Sequence, residues 1–383
     1  MSVSEATIRC GVNMPIGFVN KLLMGWNRII RLTLVCGCMV MGLLLGWLSP
    51  SEEEKQEPSA YRFRILVKNR MTPVKNQGSE SNCWIYAMLA TIETEHLMRG
   101  DSVHLSVAYA MRCLMEENYR LAYLSGGKRQ VSCRGMGITL VHLMERWGMY
   151  PYDAYRGGNS PVGKVVQHKM LHLAEMAYQR NRGLQACQKE MDRILNKAYG
   201  PLPPRVYMYG AEYTPGEFAR SVCYPGEYEG FTSFTHHPYG LRFPIEVADN
   251  WENNSLMNVP IDTLLERVRK AVSRGHGVCW EGDISEPGFS FGRGLAVWPK
   301  GIAVTTGHRQ QQFECHQTTD DHCMAIVGIA QDQHGTNYFI LKNSWGTDNP
   351  FGGLMMMSED YFRMKTIAVF LSKEALKTEN SHD

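Results

Sequence analysis

The chain has 383 residues, of which 44% are hydrophobic and 20% are charged, and its formal net charge is +2. This composition is that of an ordinary globular protein, and the length allows one large domain or two modest ones. The basic residues are dispersed along the chain, so the sequence gives no reason to expect a nucleic-acid partner.

The amino-terminal region contains an apolar segment between opposite charges. Residues 32–48 are almost all apolar, Arg28 and Arg31 precede them, and Glu52 and Glu53 follow. These flanks predict a signal peptide or signal anchor over residues 1–51, with the rest of the chain exported. The segment is short for a spanning helix, so cleavage and retention as a membrane tether are both open. Initiation at Met24 would leave a conventional short charged start.

The remainder of the chain divides into a linker, a body and a tail. Residues 52–60 are charged and polar and predict a linker. The folded body is expected over residues 61–376, followed by a polar tail over 377–383. Eleven cysteines occur, but the seven in the body besides Cys83 form no C-x-x-C pair. Because seven thiols cannot all pair within one chain, we interpret them as buried apolar groups rather than a disulfide framework.

Cys83 is predicted to open a helix. A polar loop over residues 71–79 precedes residues 83–98, in which apolar side chains recur at helical spacing. Ser81 or Asn82 can act as the N-cap. In the first turn, the positive end of the helix dipole favours the thiolate form of Cys83. Taken alone, a cysteine on an apolar helix is more often a buried packing residue.

A glycine-rich segment lies between Cys83 and the middle of the chain. Gly135 and Gly137 precede a helical pattern over residues 138–147. Glycines at these positions would let a substrate backbone approach closely. A plain loop-to-helix turn explains them nearly as well.

A hairpin is predicted near the carboxyl end. Residues 322–330 are typical of a buried strand, residues 332–336 of a turn, and residues 337–343 of a returning strand. This hairpin would bring His322 and Asn343 side by side. Trp345 would then cover the hydrogen bond between them and exclude water.

These segments together supply the parts of a thiol-dependent catalytic site. Cys83 would attack, His322 would take and return the proton, and Asn343 would orient the imidazole. Gln77 lies six residues before the thiol, where its amide can help bind a developing oxyanion. Each residue alone has an ordinary structural explanation, but their joint order favours the catalytic one.

A zinc site is the competing interpretation of the same region. Its candidate ligands lie within nine residues and are Cys315, His316, His322 and Cys323. Neighbouring residues of a strand point to opposite faces, so His322 and Cys323 would not converge on one ion. We therefore expect neither a metal nor an organic cofactor.

The order of Cys83, His322 and Asn343, with Gln77 ahead of the thiol, resembles the papain-like cysteine peptidases. Further segments resemble the bleomycin hydrolase and aminopeptidase C branch, and they are residues 213–218, 231–239, 258–262, 277–283 and 317–322. The resemblance covers nearly the whole body of the chain.

This resemblance implies an α+β, papain-like fold of two lobes. A helical lobe would carry Cys83, and a β-barrel-like lobe would carry His322 and Asn343, with a helical and loop insertion at about residues 160–260. It also implies an aminopeptidase that removes amino-terminal residues from peptides. In that branch the carboxyl-terminal arm lies in the cleft, its terminal carboxylate meets the substrate amine, and hexameric rings are common.

Two features depart from that branch's pattern. Glu80 and Asn82 place unusual side chains beside the nucleophile, and the polar tail 377–383 would displace the terminal carboxylate. We therefore expect an exported cysteine peptidase acting on peptides, most simply an aminopeptidase. The alternatives are an endopeptidase or acyltransferase with the same triad, and a non-catalytic, membrane-tethered binding protein.

Overall fold

The computed structural model describes residues 61–129, 132–158, 163–208 and 210–377, and these fall in one compact unit. The predicted apolar segment 32–48, the linker 52–60 and residues 378–383 of the tail lie outside the described residues. Of the helices that the structure describes, none combines the length and the apolar character needed to cross a membrane.

The helical elements lie mostly in the first half of the described chain. In chain order they are α1 (Cys83–Arg99), α2 (Val107–Leu124), α3 (Gly137–Trp147), α4 (Gly163–Gln179), α5 (Gln188–Tyr199), α6 (Pro215–Val222), α7 (Ile261–Ser273), α8 (Thr306–Glu314) and α9 (Glu359–Lys365). Short 3₁₀ turns occur at Leu184–Cys187 and Lys373–Leu376. Helices α4 to α6 fall within the region predicted to be an insertion.

Helix α1 begins at Cys83, as its pattern predicts. Gly100 ends it in the left-handed conformation, with φ of 91°, which glycine adopts without a steric penalty. Asn82 occupies the N-cap position but its side chain makes no capping hydrogen bond. The N-cap is thus at one of the two predicted positions, but the side chain does not cap the helix, and its Oδ1 is buried without a hydrogen-bond partner among the described residues.

The strands form one large mixed sheet and one small ribbon. They are β1 (Phe63–Lys68), β2 (Val206–Met208), β3 (Ala211–Tyr213), β4 (Tyr228–Thr232), β5 (Arg242–Pro244), β6 (Ser255–Asn258), β7 (Val278–Gly282), β8 (Phe289–Ser290), β9 (Leu295–Ala296), β10 (His322–Asp332), β11 (Asn337–Lys342), β12 (Leu354–Ser358) and β13 (Thr366–Ser372). The large sheet has the order β5-β6-β4-β13-β7-β10-β11-β12-β9-β8, with β1 added against β10, and β2 pairs only with β3.

The predicted hairpin is confirmed by β10 and β11. They pair antiparallel, with Ala325 opposite Lys342 and Gln331 opposite Asn337. The other edge of β10 is shared, because β7 pairs with its first half and β1 with its second half. Strand β10 is therefore held on both sides, and His322 at its start is fixed in place.

The expectation of a β-barrel-like arrangement is wrong, because the large sheet is open. Its terminal strands are β5 and β8, and no pairing joins them within the described residues. These edge strands have three and two residues. Edges this short offer few free backbone groups, so the sheet can end without closing on itself.

Two of the three apolar cores formed by the described residues lie on opposite faces of the large sheet at β7. One core contains side chains of α1 to α6 together with Cys279 of β7, and the other contains Val278 and Trp280 of the same strand with side chains of α7 and α9. This alternation follows from the two-residue period of a strand. Cys83 packs against the helical core, so it lies on the Cys279 face of the sheet.

Candidate active site

The start of α1 is anchored beside Cys83. The next residue, Trp84, is buried, and its indole N–H donates a 2.8 Å hydrogen bond to the carbonyl of Cys133. A side-chain carbon on Gly135 would come within 3.1 Å of the Trp84 ring. Glycine at position 135 therefore permits this close approach, which holds the loop before α3 against the nucleophile helix.

The Cys83 thiol is half-buried and lies against Cys323 and His322. A hydrogen bond from the Cys323 thiol lowers the pKa of Cys83 most, burial raises it, and the hydrogen bond and charge of His322 lower it further. The net result is a pKa well below the ordinary value. A thiol in this environment is reactive because the thiolate is the nucleophilic form.

The pKa of His322 shifts in the opposite direction. Burial lowers it, but hydrogen bonds with Cys83 and Asn343 and the charge of the thiolate outweigh burial and raise the pKa above its ordinary value. A lowered thiol pKa beside a raised imidazole pKa describes a thiolate–imidazolium pair.

Asn343 fixes the orientation of the imidazole. Its Oδ1 lies 2.9 Å from Nε2 of His322 and also accepts a 2.7 Å hydrogen bond from the Ser344 N–H. Because a carboxamide oxygen only accepts, Nε2 must carry a proton, which leaves Nδ1 for the thiol. The predicted pairing of His322 with Asn343 is thus present in the structure.

Trp345 lies over this pair as predicted. Its ring centroid is 4.7 Å from that of His322, at an interplanar angle of 38°. Phe289 and Phe291 pack edge-on against the same indole. The aromatic cover restricts water around the histidine and strengthens its hydrogen bonds.

Gln77 is held by the segment that follows Asn343. Its backbone N–H donates to the Ser344 carbonyl at 2.7 Å, and the Ser344 hydroxyl donates to its Oε1 at 2.5 Å. Its side-chain nitrogen donates one hydrogen to the Glu80 carbonyl at 2.6 Å. A carboxamide has two such hydrogens, so one is left for another acceptor.

Gly137 does not face a cleft. It is buried, and an added side-chain carbon would lie 2.9 Å from the Cys279 sulfur and 2.9 Å from the Phe370 ring. The expected role of Gly137 in substrate binding is therefore corrected: the absence of a side chain serves packing within the chain. Gly135 keeps its place beside Trp84 and remains a candidate.

Glu80 also turns away from the thiol. Its Oε1 accepts a 2.9 Å hydrogen bond from the N–H of Gly163, the first residue of α4. A carboxylate at this position is stabilised by the free N–H groups and the dipole of the helix. The side chain that departs from the family pattern thus supports α4.

The chain leaves the site along β13. Thr366 pairs opposite Gly282, as His322 does, whereas Ser372 pairs opposite Tyr228. Beyond it, the Lys377 carbonyl accepts a hydrogen bond from Arg274, just after α7. As far as Lys377, the carboxyl-terminal part of the chain therefore runs away from His322.

The structure reveals a buried acidic cluster that the sequence interpretation missed. Oxygens of Asp249, Glu281 and Asp320 all lie within 4.8 Å of one another. Arg134 donates to Asp249 at 2.5 Å and to the Asp320 carbonyl at 2.5 Å. One signal was available, because Glu281 is a charged residue within the otherwise uncharged strand β7.

The candidate zinc ligands differ from one another in burial and in position along the chain. Cys315 is exposed just after α8, whereas His322 and Cys323 are buried in β10. A second group that could hold an ion is His236, His237 and Glu246. Both histidines pair with Glu246, at 3.0 and 2.7 Å, on the protein surface.

Comparisons with known proteins identify related sequences. A sequence model of the Peptidase C1-like family matches residues 214–382. The chain is 22% identical to cysteine proteinase 1, mitochondrial, of Saccharomyces cerevisiae, covering 78% of this chain and 74% of that protein. It is 19% identical to bleomycin hydrolase of Mus musculus, covering 83% and 84%.

A solved structure shows the same fold. The crystal structure of PepW from Lactobacillus rhamnosis superposes with a TM-score of 0.66 at 16% identity, covering 95% of this chain and 93% of that one. Taken together, the family model, the curated relatives and the shared fold support a place for the chain in the papain-like cysteine peptidase superfamily, in the branch that contains bleomycin hydrolase.

Proposed function

We propose that the protein hydrolyses peptides with Cys83 as the nucleophile and acts as an aminopeptidase. The observation that carries this proposal is the Cys83–His322 pair, in which the pKa of the thiol is lowered and that of the imidazole is raised. The 2.9 Å hydrogen bond between His322 and Asn343 supports the same assignment.

Each step of the reaction has a residue to perform it. The Cys83 thiolate attacks the scissile carbonyl carbon, and the carbonyl electrons move to oxygen. The remaining amide hydrogen of Gln77 and the backbone N–H of Cys83 stabilise that oxyanion. His322 then gives its proton to the leaving amine, and a water molecule, activated by His322, resolves the thioester.

A division into two lobes fits this reaction. In this proposal, a helical lobe positions Cys83 and a sheet lobe positions His322 and Asn343, with peptides entering between them. Preference for the amino-terminal residue is proposed from the family of the chain. Trp345 and Gly135 would border the bound peptide.

Substrate blocking tests the aminopeptidase proposal. We expect norleucyl-aminomethylcoumarin to be hydrolysed much faster than its acetylated form, because an aminopeptidase requires the free amine. Cys83→Ala should lower kcat/KM for the free-amine substrate by about 10⁶-fold, the size of effect seen when a catalytic nucleophile is removed. Equal rates on the two substrates would favour an endopeptidase, and an unchanged rate in Cys83→Ala would reject thiol catalysis.

An acyltransferase or a non-catalytic binding protein is the remaining alternative. Transfer to an added amine, measured in competition with water, would identify the first. Export of the body, its tether through residues 32–48 and a hexameric ring are further proposals. Amino-terminal sequencing of the mature protein and its mass in solution test them.

A further inference from the structure

Of three buried carboxylates beside the nucleophile, two contact the same arginine. The guanidinium of Arg134 contacts Asp249 at 2.5 Å and Asp320 at 3.8 Å. Glu281 lies deepest, with 1% of its surface exposed, and neither of its carboxylate oxygens has a nitrogen or oxygen donor within the described residues. Buried carboxylates are normally paired, so this cluster lacks positive charge.

The cluster lies on the same face of the sheet as Cys83. Glu281 is two residues beyond Cys279, whose side chain is part of the helical core, so the two share a face. Directly opposite Glu281 in the ladder is Cys323, which hydrogen-bonds to Cys83. A single side chain therefore separates Glu281 from the nucleophile.

The side chains of the cluster differ in their exposure to solvent. The side chain of Arg134 is 45% exposed, that of Asp249 is 12% exposed and that of Asp320 is 9% exposed. Exposure thus decreases steadily from the arginine to Glu281.

The pKa shifts of Glu281 and Asp249 also indicate that the cluster lacks positive charge. Burial, followed by the charges of Asp249 and Asp320, raises the pKa of Glu281 well above its ordinary value. Burial raises the pKa of Asp249 to about 7, despite the opposing effect of Arg134. Glu281 therefore keeps its proton to a higher pH than an ordinary glutamate does, and a second cation nearby would favour its ionised form.

The spacing of the cluster accommodates an ammonium group, and it accommodates a small metal ion as well. An ammonium that donates three hydrogen bonds of about 2.8 Å in a tetrahedral arrangement places its acceptors about 4.6 Å apart. Oxygens that share one Mg²⁺ at about 2.1 Å lie only about 3 Å apart at adjacent positions. The oxygens of the cluster lie within 4.8 Å of one another.

We propose that Asp249, Glu281 and Asp320 form a subsite that binds the ammonium group of a peptide substrate beside Cys83. This inference rests on the proposed peptidase function and names what its substrate carries. The ammonium can come from the amino terminus of the peptide or from a lysine side chain. In either case Glu281 is the innermost acceptor, and Arg134 remains paired at the rim.

Binding to the full chain carrying Cys83→Ala tests the subsite without turnover. The probes are norleucyl-alanine amide, with an α-ammonium, acetyl-lysyl-alanine amide, with a side-chain ammonium, and acetyl-norleucyl-alanine amide, with neither. We expect one of the two ammonium peptides to bind at least about tenfold more tightly than the neutral peptide, the effect of one hydrogen bond to a charged group. The peptide that gains identifies the source of the ammonium.

Variants then assign the gain to the cluster. Glu281→Gln, in the same background, should abolish the preference, and Asp249→Asn provides a second variant if the first does not fold. Glu246→Gln is the matched control, because Glu246 is a surface acid paired with His236 and His237. It should retain the full preference. Thermal unfolding of each variant shows whether it is folded.

Three results would overturn the subsite. They are equal affinities for all three peptides, a preference that survives in both cluster variants, and tight Ca²⁺ or Mg²⁺ binding that Glu281→Gln abolishes while no peptide preference exists. Failure of the peptidase proposal is measured separately, as absence of hydrolysis by the chain that retains Cys83. Hydrolysis without an ammonium preference would reject the subsite alone.

Discussion

Two polar clusters adjoin Cys83, and they differ in how their charges are balanced. On one side, His322 has Asn343 for one ring nitrogen and the thiolate for the other. On the other side, Asp249 and Asp320 contact Arg134, whereas Glu281 has no nitrogen or oxygen donor among the described residues. The first cluster gives both imidazole nitrogens a partner and suits chemistry, whereas the second leaves carboxylate oxygens unpaired and suits recognition of a cation.

Among variants that keep Cys83, the largest effect should come from removing the oxyanion donor Gln77. Gln77→Ala removes the free amide hydrogen and should lower kcat by about 10²–10³-fold, the usual effect of losing one such donor. Substrate KM should change little, since the oxyanion exists only in the transition state. Steady-state kinetics measure both values, and a loss confined to KM would place Gln77 in substrate binding instead.

The next largest effect on activity should come from removing Asn343, which orients His322. Asn343→Ala should lower kcat/KM by about 10²-fold, because the imidazole loses the bond that fixes its tautomer. It should also move the alkaline limb of the pH profile to lower pH, because the hydrogen bond to Asn343 raises the pKa of His322. Below the thiol pKa, Cys83 is protonated and inactive, and above the histidine pKa the leaving amine has no proton donor. An unchanged alkaline limb would contradict this account of Asn343.

A smaller effect should come from a substitution that disturbs packing near the acidic cluster. Gly137→Ala adds a carbon 2.9 Å from Cys279, which precedes Glu281 on the same face of β7. Such overpacking costs about 1–3 kcal/mol of unfolding free energy. Urea unfolding measures it, with Gly307→Ala as the control, because a side chain there meets nothing within 4 Å. Unaltered stability together with weaker peptide binding would restore Gly137 to the substrate site.

Glu281 itself should make stability depend on pH in a distinctive direction. Its pKa is raised in the folded chain, so above the unfolded value of about 4.3 the unfolded chain releases a proton that the folded chain keeps. Stability then falls as pH rises, until the folded pKa is passed, by up to about 1.4 kcal/mol per pH unit. Glu281→Gln should reduce this slope. Chemical unfolding at several pH values measures it, and an unchanged slope would show that Glu281 is ionised in the folded chain.

The sequence predicted the cluster around His322 far better than the acidic cluster. The helix at Cys83, the hairpin from His322 to Asn343 and the cover by Trp345 all depend on short segments whose patterns are local. The acidic cluster combines Asp249, Glu281 and Asp320 from separate segments, and only the pairing of β7 with β10 brings Glu281 next to Cys323.

The wrong predictions have the same origin. Helical periodicity placed Asn82 before α1 but could not show where its side chain points. A side-chain carbon added at Gly137 would meet Phe370, and this residue lies in β13, a strand distant in sequence. The large sheet is open because it ends in two short edge strands, β5 and β8. The sequence pattern alone does not predict where these strands lie in the strand order. Local chemistry was therefore predictable, and long-range packing was not.

The measurement that tests the central claim most directly is the pH dependence of thiol alkylation. Iodoacetamide should modify Cys83 at about pH 6, where an unactivated thiol with a pKa of about 8.5 reacts slowly. Peptide mapping by mass spectrometry gives the rate at each cysteine, and the exposed Cys315 serves as the internal reference. The account predicts complete labelling of Cys83 while Cys315 is largely unmodified. A Cys83 rate that rises in parallel with that of Cys315 toward alkaline pH would contradict the thiolate–imidazolium pair.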